Sequence, residues 1–136
     1  MTEPSPSPLR VLVVDDSAAI CALVARVLKE AGMTIVGVLT SLAVLQATAL
    51  IAEPDVVVLD LAMECSAFPE LAKLKRAKPT CAVVVYSGFE EPAIMRAAMS
   101  VGADRFVGKS EDFDALVAAV TDAGRAARAH HPPAQL

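Results

Sequence analysis

Residues 56–63 read V-V-V-L-D-L-A-M, an unbroken apolar run that ends on Asp60. A short run rich in β-branched residues suits a strand covered on both faces, as in a parallel sheet. Working outward, V-L-V-V at Val11–Val14 leads into Asp15 and Asp16, and A-V-V-V-Y at Ala82–Tyr86 leads into Ser87. Ile35–Leu39 and Arg105–Val107 are weaker strand candidates, expected near sheet edges, and Lys109 follows the second of them.

Helical spacing fills the intervals. Ile20, Leu23, Val24, Val27 and Leu28 share one face, starting after Ser17 and stopping at Gly32. Leu42, Leu45 and Ala49 allow a helix between Ser41 and Glu53, and Phe68, Leu71 and Leu74 form a stripe ended by Pro79. Ile94, Ala98 and Val101 form another, stopped by Gly102. Phe113, Leu116, Val117 and Val120 make the last, expected to start after Ser110 with Glu111 and Asp112 in its first turn. The sum is five β-then-α units. Right-handed crossovers make them an α/β fold, a doubly wound five-stranded parallel sheet with helices on both faces.

A chain of 136 residues suits one domain and buries ~68% of its unfolded surface. The domain is expected over residues 9–128, between disordered tails at 1–8, with S-P-S-P, and 129–136, with H-H-P-P. Net charge is −4, with one Tyr, four Phe and no Trp. That balance argues against a nucleic-acid surface, which needs a basic stripe and often stacking aromatics. The longest apolar stretch, Leu39–Ala52, is broken by Thr40, Ser41, Gln46 and Thr48 and falls short of the ~20 residues that span a bilayer. Cys21, Cys65 and Cys81 are odd in number and lack C-x-x-C spacing, as expected of reduced thiols in a cytoplasmic protein. His130 and His131 lie far from them in sequence, which argues against a zinc site.

In open α/β sheets the site lies beyond the carboxyl ends of the strands. Asp15, Asp16, Asp60, Ser87 and Lys109 each follow an apolar run by a few positions at most, so all five are expected at one sheet edge. Three carboxylates crowded there resist ionising together. A hard divalent cation relieves them, and Mg²⁺ is the usual choice beside a phosphoryl group. Lys109 supplies a fixed positive charge for phosphoryl oxygens, and the Ser87 hydroxyl a further hydrogen bond. With Asp60 as nucleophile the chemistry is in-line phosphoryl transfer to an acyl phosphate. Taken singly, each residue also fits a bland role: a solvated turn, a strand-end aspartate, a surface lysine.

These segments resemble the receiver domains of bacterial two-component response regulators. The resemblance runs from Leu9 to Ala127 and rests on V-L-V-V-D-D-S at 11–17, V-V-V-L-D-L-A-M at 56–63, V-V-V-Y-S-G at 83–88 and G-A-D-R-F-V-G-K at 102–109. It implies a CheY-like, flavodoxin-like strand order. Asp15 and Asp16 would hold Mg²⁺ together with Asp60 and the carbonyl of Ala62. Asp60 would accept the phosphoryl group, Ser87 and Lys109 would contact it, and Phe106 would be the aromatic whose rotation reports phosphorylation, although a lone aromatic on a short strand also fits a core role. A sensor histidine kinase or phosphotransfer protein would be the donor. The face formed by the fourth helix, fifth strand and fifth helix would then engage a downstream target, or a second copy as a homodimer. The chemistry would be self-phosphorylation and self-dephosphorylation, without turnover of a substrate.

Some positions depart from that pattern. Receivers usually place proline, with a cis bond, directly after the lysine; here Ser110 stands there, and a trans or strained bond is expected because cis costs ~3 kcal/mol without proline. Glu64 and Phe68 replace the usual proline and glycine after Met63. Ala62 and Phe89 are apolar where relatives often carry groups that orient water, so slow self-dephosphorylation is expected. Ala62 also argues against an aspartyl-phosphate phosphohydrolase, whose second acid would sit there. The lack of a Gly/Ser/Thr-rich loop after the first strand argues against a flavodoxin-type binder. The alternative that Ser110, Glu64 and Phe68 support is a phosphorylation-independent interaction module. Arg125 and Arg128 read as a solvated helix end, and Cys65 as a loop or buried residue. The chain leaves no room for an effector domain after the fifth helix, so it reads as a single-domain regulator or an excised receiver.

Overall fold

The structure, a computed structural model, describes residues 7–63 and 67–130. Strands β1 (Arg10–Val14), β2 (Thr34–Leu39), β3 (Val56–Leu59), β4 (Ala82–Ser87) and β5 (Arg105–Gly108) alternate with helices α1 (Ala18–Glu30), α2 (Leu45–Ala52), α3 (Ala67–Ala77), α4 (Pro92–Val101) and α5 (Phe113–His130). All pair in parallel, in the order β2-β1-β3-β4-β5. The weak strands are the edges, where partial solvent contact relaxes the demand for continuous apolar sequence.

Alternation along the buried strands divides the core in two. Val11, Val13, Val58 and Val84 face α1 and α5, meeting Val24, Leu28, Leu116 and Val120. Leu12, Val57, Leu59 and Val85 face the other helices, meeting Leu45, Leu71, Leu74 and Ala98. Each fully buried aliphatic side chain contributes about 1.5–3 kcal/mol relative to exposure. A single charge on β3 would therefore be costly on either face.

Helix ends follow local chemistry. Ser17 Oγ accepts from the Ile20 N–H at 3.2 Å, opening α1, and Gly32 follows its end at φ +93°, where a Cβ would be strained. Pro92 occupies the first turn of α4. One boundary differs from the sequence-based expectation. Asp112, not Ser110, opens α5: its Oδ1 accepts from the Ala115 N–H at 3.0 Å. The helix runs to His130.

Arg128 is not a solvated helix end. Its guanidinium bonds both Asp55 oxygens, at 2.8 and 3.2 Å, and the Ser7 and Pro8 carbonyls at 2.6 and 2.9 Å. Asp55 also accepts from the Arg10 N–H at 2.8 Å. The clamp ties α5 and the segment before β1 to the start of β3. None of the helices among the described residues is long and apolar enough to cross a membrane.

Candidate functional site

Sheet register assembles the site. Val14, Leu59 and Val85 lie side by side on β1, β3 and β4, with Phe106 next on β5. Asp15 and Asp60 therefore emerge together just beyond the buried row, and Ser87 pairs with Gly108 one step before Lys109. The ladder continues past the strands: Asp15 N–H donates to the Leu39 carbonyl and Asp60 N–H to the Val14 carbonyl, both at 3.0 Å. Backbone pairing thus fixes both carboxylates.

Asp15, Asp16 and Asp60 each offer a carboxylate oxygen within 4.8 Å of the others. Asp15 and Asp60 are buried, at 3% and 1% exposure, whereas Asp16 faces solvent. Asp15 Oδ1 accepts from the Ser17 N–H at 2.9 Å. Its Oδ2 lies 2.8 Å from Lys109 Nζ, which stands 3.6 Å from Asp60 Oδ2. Asp60 Oδ1 accepts from the Ala62 N–H at 3.1 Å.

The electrostatics are those of a compressed acidic cluster. Burial raises the Asp60 carboxyl above its ordinary value; the Ala62 N–H and Lys109 pull it down, and Asp15 and Asp16 push it up. Burial acts to lower the Lys109 ammonium, but its hydrogen bond to Asp15 and the charge of Asp60 outweigh that, and it is raised overall. Lys109 opposes the rise of the Asp60 carboxyl, and the carboxylates keep the lysine charged. The oxygen-only donor set, with one solvent-facing member, fits a hard divalent ion that keeps some of its water.

The remaining residues take distinct places. Ser87 is fully buried; its Oγ accepts from the Phe89 N–H at 3.0 Å, leaving its own proton free of that bond, and its carbonyl accepts from the Lys109 N–H at 2.8 Å. Phe106 is half-buried against the core on the α4 side. Ala62 and Phe89 are exposed. No peptide bond among the described residues is cis, so Lys109–Ser110 is trans. Glu64 and Cys65 lie outside the described residues.

Sequence reasoning missed three neighbours. Tyr86, buried, places its ring 5.7 Å from Lys109 Nζ. The Cys21 thiol donates to the Asp15 carbonyl at 3.2 Å. Glu90 reaches Ser110. Each is a side-chain encounter between elements, with no local pattern to announce it.

Comparison with known proteins bears on the family and the fold. Among curated proteins no relative matches the chain. Among solved structures, it is similar to the signal receiver domain of the putative response regulator NarL from Mycobacterium tuberculosis: 29% identity over 88% of this chain and 98% of that one, TM-score 0.82. A CheX–CheY–BeF3–Mg complex from Borrelia burgdorferi matches at 21% identity over 85% and 88% of the two chains, TM-score 0.76. Vibrio cholerae CheY4 matches at 21% over 85% and 98%, TM-score 0.78. These two likenesses speak to the fold. Residues 11–121 match the response regulator receiver domain family; with the strand order β2-β1-β3-β4-β5 and the aspartate cluster at its carboxyl edge, the chain belongs to that family.

Proposed function

We propose that this receiver accepts a phosphoryl group on Asp60 and changes its binding partners in response. The observation that carries the reading is the convergence of Asp15, Asp16, Asp60 and Lys109 at one sheet edge, with Lys109 Nζ 3.6 Å from the Asp60 carboxylate. Mg²⁺, held by Asp15, Asp16 and Asp60 with the Ala62 carbonyl, would neutralise phosphoryl oxygens when bound.

The chain's own residues do the rest. One Asp60 oxygen bonds to phosphorus as the P–N bond of a phosphohistidine donor breaks, and the electron pair leaves with the imidazole. Asp60 must be ionised to attack, which Lys109 favours against the cost of burial. Lys109 then moves from carboxylates to phosphoryl oxygens, and Ser87 donates its hydroxyl proton to another. Exchange of Ser87 contacts would reach Phe106, on the neighbouring strand, and the face of α4, β5 and α5. Met95 and Met99 are exposed on α4, and Phe89 in the loop before it, which supports a partner surface there. The donor would be a histidine kinase or phosphotransfer protein in the cytoplasm, and the protein would turn over no substrate.

Intact-mass measurement after incubation with Mg²⁺ and acetyl phosphate tests the reading. One added phosphoryl group is expected, absent from Asp60→Asn. No adduct on the parent would instead favour a phosphorylation-independent interaction module, for which Ser110 is the specific argument.

A further inference from the structure

Glu90, in the segment between β4 and α4, reaches across to the loop between β5 and α5. Its Oε1 accepts a hydrogen bond from Ser110 Oγ at 2.6 Å, a short bond of the charge-assisted kind. Its carboxyl group also rests on Gly108, where a built Cβ would overlap Glu90 Oε1 and Cδ. The glycines with positive φ among the described residues are Gly32 and Gly102. Gly108 is therefore useful for the space it leaves, not for its backbone freedom. Glu90 thus touches the residues on both sides of Lys109.

That loop needs holding. Serine at 110 does not lock φ as a proline ring does. The backbone is restrained instead by Lys109 N–H to the Ser87 carbonyl at 2.8 Å, Glu111 N–H to the Gly108 carbonyl at 3.0 Å and Gly108 N–H to Glu111 Oε2 at 3.1 Å. Glu90 adds a side-chain tie from this loop to the segment that follows Ser87.

We propose that Glu90 is a positioning residue for phosphoryl acceptance: seated on Gly108 and bonded to Ser110, it holds the backbone around Lys109 so that Nζ stays aimed at Asp15 and Asp60. The inference rests on the receiver reading and adds a residue to it. The bond joins exposed side chains, so it contributes little to global stability. Its effect falls on the aim of a catalytic lysine, where small displacements slow chemistry steeply.

The test is the rate at which acetyl phosphate labels the protein in Mg²⁺, followed by intact mass, with melting midpoints alongside. Glu90→Ala and Ser110→Ala are each expected to label about threefold to tenfold more slowly, with midpoints within about 2 °C of the parent. The double variant should be no slower than the slower single, because one bond is lost in all three. Gly108→Ala should behave like Glu90→Ala, since the added methyl expels the carboxyl group. Glu90→Gln keeps an acceptor without the charge and Ser110→Thr keeps the hydroxyl, so both should label no more slowly than the parent. Parental rates in Glu90→Ala and Ser110→Ala, or losses that multiply in the double variant, would overturn the inference alone. A parent that takes no phosphoryl group would overturn the receiver reading and this inference with it.

Discussion

Lys109 Nζ stands 2.8 Å from Asp15 Oδ2, a pairing between residues 94 positions apart. It is the cation beside the two buried carboxylates of the acidic cluster, and Asp60 shares it at 3.6 Å. Lys109→Met leaves both carboxylates without a counter-charge. A loss of about 2–3 kcal/mol is expected, at or below the low end for a broken buried pair because the lysine remains partly exposed. Saturating Mg²⁺ should recover more stability in the variant than it adds to the parent. Urea unfolding with and without Mg²⁺ measures both; an unchanged midpoint in metal-free buffer would contradict the assignment.

Burial raises the Asp60 carboxyl, the Ala62 N–H and Lys109 oppose it, and Asp15 and Asp16 add to it. A carboxyl raised in the folded state binds its proton more tightly there than in the unfolded chain. Its ionisation therefore costs stability progressively as pH rises from the ordinary carboxylate value to the higher folded one. Below the ordinary value, about 4, the cost vanishes. In Mg²⁺-free buffer Asp60→Asn should melt above the parent at pH 7, and the gain should disappear under strong acid. Melting curves across the pH range check this, and a variant that melts below the parent at neutral pH would refute it.

Ala62 and Phe89 each lie two residues past a residue of the site and are exposed without a polar side-chain group. Nothing on either side chain orients an attacking water. Once formed, the acyl phosphate is expected to persist for minutes or longer in Mg²⁺ buffer. Ala62→Asn should shorten its life by about tenfold, below the usual contribution of a positioned acid or base. Decay of the phosphorylated mass after removal of donor gives the lifetime; decay of the parent within seconds would be incompatible.

Burial pushes the Cys81 thiol up to about 12 and also raises that of Cys21, and both side chains are about 1% exposed. Thiolate is the reactive form. Iodoacetamide at pH 8 should leave both unmodified in the folded protein and label both in denaturant. Peptide mapping resolves the sites, and rapid labelling of Cys81 under native conditions would contradict its placement.

Arg128 joins α5 to Asp55 through two oxygens and to the Ser7 and Pro8 carbonyls. Arg128→Ala should cost about 1–2 kcal/mol, since several partners lose a charge-assisted bond. Arg128→Lys should recover less than half of that, because an ammonium cannot span the forked geometry. Chemical denaturation decides it; full recovery by lysine would argue against the bidentate contact.

The strands and helices were legible because their signals are local. Val56–Leu59 is apolar throughout since both faces are covered, and Ser17 and Gly32 mark the ends of α1 by backbone chemistry confined to one turn. Asp15, Asp16, Asp60 and Lys109 could be placed at one edge for a related reason: parallel strands all deliver their carboxyl ends to the same side. The start of α5 was harder to read, because Ser110, Glu111 and Asp112 are all plausible first-turn residues. Tertiary contact decided among them, with Ser110 drawn to Glu90 and Asp112 left to cap.

The sequence by itself determined the alternation of elements, the doubly covered sheet and the residues that gather at its edge, because hydrophobic period and strand direction are properties of short segments. Only the tertiary structure decided which charge meets which. Lys109 with Asp15, Arg128 with Asp55, and Glu90 with Gly108 and Ser110 are encounters across the fold. Their energies depend on burial and distance, which no local pattern encodes.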